Sequence, residues 1–406
     1  MKKIYFTILL ISMFICTNIF AQINWVKYSG NPVVDSTKDL SATSSYAPKV
    51  LIDGTNYHMW YTRKTGTTRE NMGYMTSTNG LSWTLVDSLA IMPSAISTRF
   101  DFKKVGHGTV IKDGDTLKMW YWGGNSSSNA GIGFAWSLNG QNWTRVDGPG
   151  IGKSVIDQTI DGSGALAIAT PCVIKEGSTY KMWYARAYLV GTKVLYRIGY
   201  ATSSNGLNWT VVAGSGANGS VIDIGASGNF DESMVFFPSV IKNGTQYQMW
   251  YAGYDSVSAL REGYATSSDG ISWTKVTGNS TKGSCLDSGG TSSVSLVGSV
   301  YKMWYSSTSP AGFAYATSGN ITGLSQFKPS NVFKIYPNPS NGNFKLDFDN
   351  GESNGLVQIY NLSGQQVYSK TIIDNPNIET NLHKGLYFIV CTHENGMVFN
   401  RKIIIE

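Results

Sequence analysis

The sequence predicts an all-β chain, a five-bladed β-propeller followed by a small C-terminal antiparallel β-sandwich. Three observations carry that prediction. The tripeptide Met-Trp-Tyr occurs five times, strand and turn signals recur around each copy, and the composition is that of many short strands. Of 406 residues, 42% are hydrophobic and 13% aromatic, while only 14% are charged, against about a quarter in typical soluble domains. This profile excludes a disordered or coiled-coil chain. The 45 glycines and 12 tryptophans argue against a helix bundle.

Residues 1–21 read as a secretory signal peptide: Lys2 and Lys3 precede an apolar stretch, Ile4 to Phe20, that ends at Ala21. Ser12, Thr17 and Asn18 interrupt that stretch, so a spanning helix fits it poorly. Phe14 and Ile15 are bulky where a lipobox before Cys16 would need small residues, so cleavage is expected after Ala21. The formal charge is +6, and loss of Lys2 and Lys3 leaves 30 bases against 26 acids, or +4. No run of five bases exists, which argues against nucleic acid as a partner. Cys172, Cys285 and Cys391 are an odd, widely spaced set that implies no disulfide framework, and a buried, inert state is expected for Cys172. With four His and no C-x-x-C or H-E-x-x-H, no zinc site is expected.

The repeats define the propeller, expected over 22–325. Met59, Met119, Met182, Met249 and Met303 open the Met-Trp-Tyr copies, 60, 63, 67 and 54 residues apart. Before each lies a β-rich run closed by a turn glycine, at Gly54, Gly114, Gly177, Gly244 and Gly298, implying two strands joined by a tight turn. A third strand follows, beginning Gly73-Tyr74, Gly133-Phe134, Gly199-Tyr200, Gly263-Tyr264 and Ala314-Tyr315. A fourth opens at Trp83, Trp143, Trp209 and Trp273. Four strands in about 60 residues match one propeller blade.

The fifth unit lacks its Trp-Thr strand. Ile23-Asn24-Trp25-Val26-Lys27 resembles Asn208-Trp209-Thr210-Val211-Val212, so the N-terminus is expected to supply it and close the ring without an exposed edge. Ten of the twelve tryptophans then occupy repeat positions, where packing of blade against blade explains them. Asn79, Asn139, Asn205 and Asp269 occupy one turn position and are expected to serve the turn.

A linker is expected over 326–331, and a sandwich over 332–406, from Tyr336-Pro337-Asn338-Pro339, Asn341-Gly342, the alternating Val357 to Val367 segment and Gly385-Leu386-Tyr387. In this order the motifs resemble the C-terminal sorting domain of type IX secretion substrates. The resemblance implies export through the outer membrane of a Gram-negative bacterium, with the tail removed or anchored at the surface.

The repeat Pro-x-Val-Ile-Lys-x-Gly-x-x-Tyr-x-Met-Trp-Tyr, followed by Gly-Tyr-Ala-Thr-Ser-x-x-Gly-x-x-Trp-Thr, is clearest at Pro238 to Thr274. It resembles the five-bladed propellers of glycoside hydrolase families 32, 43, 117 and 130, over about 300 residues. Glycoside cleavage uses two carboxyl groups astride the bond, one protonated and one ionised. The family 43 pattern implies a base and an orienting Asp before the Pro of blades one and three, and a Glu acid two residues before the Pro of blade four. Those positions hold Ala47, Thr170 and Phe236, so the family triad is absent.

Other polar residues near the same rim become the candidates. Asp39, Asp101, Asp161, Asp231 and Asp287 stand one per blade, and recurrence of that kind is first a sign of architecture. Glu232 and His107 occur once. If the protein is catalytic, Asp231 or Glu232 is expected to pair with Asp101, and His107 to donate or orient a proton. Arg63, Arg186, Arg261, Glu70 and Glu262 follow the Met-Trp-Tyr strands and could grip a substrate, Arg forks suiting carboxylated or sulfated sugars. Trp122 breaks the repeat as a candidate sugar platform.

The leading expectation is a secreted glycoside hydrolase-like protein acting on a plant or algal type polysaccharide or oligosaccharide. The alternative is a non-catalytic surface glycan-binding or adhesion propeller, and a protein scaffold stands third. Expected partners are the saccharide and the type IX machinery, through residues 332–406. The chain is expected to be a monomer without a cofactor, and no ligand spacing compels a structural Ca2+.

Overall fold

The computed structural model describes residues 23–318 apart from 36, 40, 67–68, 127–128, 256–259, 288 and 310. It also describes residues 333–406 apart from 349–354, 362–365, 373–376 and 394–397. The signal peptide and the linker of the sequence reading lie outside the described residues.

The N-terminal strand β1 (Trp25–Lys27) precedes blade one, which comprises β2 (Ser44–Asp53), β3 (Asn56–Thr65), β4 (Arg69–Ser77) and β5 (Thr84–Ile91). Blade two comprises β6 (Lys104–Asp113), β7 (Thr116–Ser126), β8 (Asn129–Ser137) and β9 (Thr144–Val146). Blade three follows with β10 (Ala167–Glu176), β11 (Thr179–Val190), β12 (Lys193–Ser203) and β13 (Thr210–Val212). Blade four has β14 (Met234–Asn243), β15 (Gln246–Tyr254), β16 (Arg261–Ser267) and β17 (Thr274–Val276). Blade five contributes only β18 (Ser292–Val297), β19 (Val300–Thr308) and β20 (Ala311–Ser318), and β1 completes it by pairing antiparallel with β20, Trp25 opposite Ser318. The expected closure of first blade on last is therefore present.

Each Met-Trp-Tyr lies at the centre of a second strand, where the pleat sends successive side chains to opposite faces. Its Trp is fully buried in all five blades and reaches into the next one. Trp60 Nε1 donates to Gly140 O at 2.9 Å, Trp120 to Gly206 O at 2.8 Å, Trp183 to Gly270 O at 2.8 Å and Trp304 to Gly80 O at 2.7 Å. The same indoles meet the Trp of the neighbouring outer strand edge-on: Trp60 with Trp143, Trp120 with Trp209, Trp183 with Trp273, Trp250 with Trp25 and Trp304 with Trp83. Such pairs are worth about 0.5–1.5 kcal/mol each beyond burial. Asn79, Asn139, Asn205 and Asp269 each accept the two backbone amides that follow in their turns, as at Leu81 and Ser82.

The C-terminal unit has two antiparallel sheets. One holds β21 (Phe333–Tyr336), β22 (Asn343–Phe348) and β25 (Asn377–Glu379). The other runs β24 (Gln366–Ile372), β23 (Gly355–Tyr360), β26 (Gly385–His393) and β27 (Val398–Ile405). Leu346, Val357, Ile359, Ile378, Ile389 and Ile403 close its core. Cys172, Cys285 and Cys391 are free and buried.

Candidate functional site

The residue ten positions before each Met faces the propeller axis: Lys49, Thr109, Cys172, Ser239 and Ser293. With the valine that follows in each of the five blades, they line an axial cavity of about 110 Å³. Three of these side chains brace the adjoining blade by accepting an amide: Ser293 Oγ from Val50 at 2.9 Å, Ser239 Oγ from Val294 at 3.0 Å and Cys172 Sγ from Val240 at 3.2 Å. An ammonium cannot accept. Lys49 Nζ instead donates to Ser292 O at 3.0 Å and Pro238 O at 3.4 Å. Burial lowers its pKa, and nearby Cys172 and Glu262 work against that.

Glu262 stands at the strand position that the other blades fill with Met72, Ile132, Ile198 and Phe313. It is fully buried. Ser292 Oγ donates to Oε1 at 2.5 Å, while Oε2 has no hydrogen-bond partner among the described residues. Burial pushes the carboxyl up to about 7 despite the Ser292 hydroxyl, the Lys49 charge and the Gly290 amide. An unpaired buried carboxylate is costly, so the neutral form is favoured. Strand alternation sends its neighbour Arg261 elsewhere, to Asp255 at 3.2 Å and Asp287 at 3.6 Å.

Above this layer the inner strands of blades one to four carry a β-bulge, and one residue in each bulge is left-handed: Ala47 (φ 52°), His107 (51°), Thr170 (48°) and Phe237 (50°). Each precedes Pro or Gly. That conformation costs a non-glycine residue about 1–3 kcal/mol and re-aims its side chain. Neighbouring hydroxyls hold three of the four by accepting their amides: Ser306 from Ala47 at 3.0 Å, Thr62 from His107 at 2.8 Å and Thr170 from Phe237 at 3.3 Å. None of the four is a carboxylate.

Aromatic rings collect at these bulges. His107 lies 5.5 Å from Tyr46, 5.4 Å from Trp122 and 4.9 Å from Phe237, and the series continues through Phe236 to Tyr196. Four blades contribute. Tyr46, His107, Trp122, Tyr196 and Phe236 are all half-buried. Burial first, then the charges of Lys49 and Lys104, drive the His107 imidazole down to about 3. That favours the neutral ring near pH 7, which suits the orienting role expected of His107 better than proton donation. Glu70 is buried, bonds Lys104 Nζ at 3.3 Å and acts on the Tyr46 phenol, whose pKa burial and that carboxylate raise together.

Asp101 and Asp231 are placed differently from the expected acid and base. Asp101 is 0% exposed and accepts from Tyr121 Oη at 2.9 Å, Arg145 Nε at 2.8 Å and Arg99 Nε at 3.3 Å. Asp231 is 2% exposed and accepts from Tyr251 Oη at 2.9 Å and Lys275 Nζ at 2.7 Å. Asp39 with Tyr61 and Asp161 with Tyr184 repeat the bond at 2.7 and 2.5 Å. The Tyr of Met-Trp-Tyr thus ties down one Asp in each of four blades, and neither expected carboxylate is open to a substrate. Arg63 and Arg186 belong to the same braces, 1% exposed and bonded to Asp39 and Asp161 at 2.7 Å. They cannot serve as free sugar-binding forks. Glu232, in the loop before β14, accepts the Gly228 amide at 2.7 Å.

Residues 334–406 match the family described as the secretion system C-terminal sorting domain. Among solved structures the chain is similar to one titled glycoside hydrolase, at 19% identity and TM-score 0.55, over 71% of this chain and 91% of the other. A thermostable family-43 glycoside hydrolase aligns at 15% identity and TM-score 0.51, over 69% and 91%. The β-1,2-mannobiose phosphorylase of Listeria innocua aligns at 11% and TM-score 0.56, over 73% and 96%. The chain shares the propeller fold of these solved structures and carries a secretion sorting tail. That tail marks it for export to the cell surface or the medium.

Two uncharacterized proteins of Mycobacterium tuberculosis are also similar. MT1551 is 33% identical over 150 residues, 36% of this chain, and Rv1502 is 26% identical over 231 residues, 55% of it. The matches span 44% and 72% of the lengths of those proteins.

In this propeller, sequence reasoning missed Lys49, Tyr46, Tyr196 and Phe237. Lys49 had a readable signal, because spacing from Met-Trp-Tyr aligns it with four small polar residues. The three aromatics come from separate blades and meet only through the bulges.

Proposed function

We propose that the exported propeller binds a saccharide at its axial mouth. The observation that supports this reading is the half-exposed aromatic surface of Tyr46, Trp122, Tyr196 and Phe236 around His107, drawn from four blades at positions the repeat does not require to be aromatic. Amphipathic rings of this kind suit the apolar faces of sugars, and a few convergent polar groups set orientation. Binding without turnover fits the engaged Asp101 and Asp231 and the missing family triad. The test is calorimetry of the mature chain against oligosaccharides that score on a glycan array. Trp122→Ala should weaken binding about two- to tenfold, as loss of an aromatic contact worth about 0.5–1.5 kcal/mol implies, with little change in Tm. Unaltered affinity would place the ligand elsewhere.

A second reading, hydrolysis, is favoured by Glu262. A neutral carboxyl with an unpartnered oxygen is the form a general acid needs, but Glu262 is as fully buried as Asp101, so this reading also requires the mouth to open to it. On this reading Glu262→Gln abolishes release of reducing ends while leaving the affinity measured by calorimetry intact. Release that persists in the variant removes Glu262 from the reaction.

A further inference from the structure

We infer that the saccharide is anionic and that its carboxylate or sulfate groups are recognised by a basic cleft formed by Arg69, Lys103 and Lys104. This rests on the reading of the mouth as a saccharide site. The cleft has a volume of about 720 Å³, within the range of about 300–1,000 Å³ usual for small-molecule sites. Met92, Pro93 and Phe102 give it an apolar wall, and the three cations stand in the same lining. Arg69 and Lys103 are exposed, and neither pairs with a carboxylate among the described residues. Lys104 shares Glu70 at 3.3 Å, so positive charge exceeds negative at the site.

Side-chain contacts link the cleft to the mouth. Glu70 and Lys104 face each other where β4 and β6 run parallel. Glu70 acts on the Tyr46 phenol, and the Tyr46 ring lies 5.5 Å from His107. A chain of sugars stacked on Tyr46 and Trp122 would extend along the apolar wall with its acidic substituents beside unpaired cations. Arg63 and Arg186 cannot take that part, because Asp39 and Asp161 already neutralise them. A guanidinium fork matches carboxylate and sulfate alike.

The test titrates the mature full-length chain with four oligosaccharide probes: a neutral xylooligosaccharide, an oligogalacturonate, the methyl ester of that oligogalacturonate, and a sulfated galactan oligosaccharide. The expected result is that an acidic probe binds at least about tenfold more tightly than the neutral forms. That advantage should shrink as salt is raised and vanish in the Arg69→Glu/Lys103→Glu variant, whose exposed substitutions leave Tm unchanged. Preference for oligogalacturonate identifies carboxylate as the recognised group, and preference for the galactan identifies sulfate. Equal binding of neutral and acidic probes, or an advantage that survives the double variant, overturns the inference and leaves the mouth assignment standing. Failure of every probe, on a chain that melts normally, overturns both.

Discussion

Glu262 departs from the fivefold pattern at a single side chain, and its chemistry follows from what it replaces. The position belongs to Met, Ile or Phe in the other blades, so the carboxyl meets an apolar setting with one oxygen unpartnered. An ordinary glutamate ionises near 4.5, whereas this one, once folded, does so near 7. Between those values the folded chain keeps a proton that the unfolded chain has lost, so stability is greatest below pH 4.5 and falls as pH rises towards 7. The loss amounts to about 2–3 kcal/mol. Thermal melts across that window should show the native chain losing stability relative to Glu262→Gln as pH rises. His107 contributes with the opposite sign: its neutral form is preferred on folding, so its share of stability is lost as pH falls from 6.5 towards 3. A decline of equal slope in the Gln variant would assign the effect to another group.

At the scale of the blade, the Tyr–Asp brace explains a pattern that otherwise looks catalytic. Blades one and three pair the Asp with an Arg two residues beyond the Tyr, at Arg63 and Arg186. Blades two and four place Gly123 and Gly253 there, and take the cation from the outer strand instead, at Arg145 and Lys275. The exchange is steric. A Cβ at Gly123 would lie 2.6 Å from Phe100 and from Asp101 Cβ, and one at Gly253 would lie 2.3 Å from Phe230, so the ring before the Asp fills the space an Arg side chain uses elsewhere. Tyr121→Phe removes one of three side chains donating to a buried carboxylate and should cost about 1–3 kcal/mol in urea unfolding, with saccharide affinity unchanged. A large loss of affinity at unchanged stability would return Asp101 to the binding site. The strands, the Trp contacts and the N-terminal closure were all legible in the sequence, because each depends on spacing that repeats five times. The brace was half legible: recurrence of Phe-Asp pointed to architecture, but its tyrosine partner lies about 20 residues away on a strand whose facing could not be read.

Over the whole molecule, the ring brings together residues that no local pattern connects. Tyr46, His107, Tyr196 and Phe237 come from four blades, and the left-handed bulge conformations of His107 and Phe237 set where those two rings point. His107 and Trp122 stood out individually as breaks in the repeat, whereas the surface they form with the others depends on closure between β1 and β20. The same closure buries Trp25 against Trp250, 6.0 Å between ring centroids. The most direct measurement is a crystal structure of the mature chain with the oligosaccharide that binds it most tightly in solution. The account predicts a sugar ring stacked on Trp122 or Tyr46 at the axial mouth. A ligand seated on the outer strands or on the C-terminal sandwich, with the mouth untouched, would contradict it.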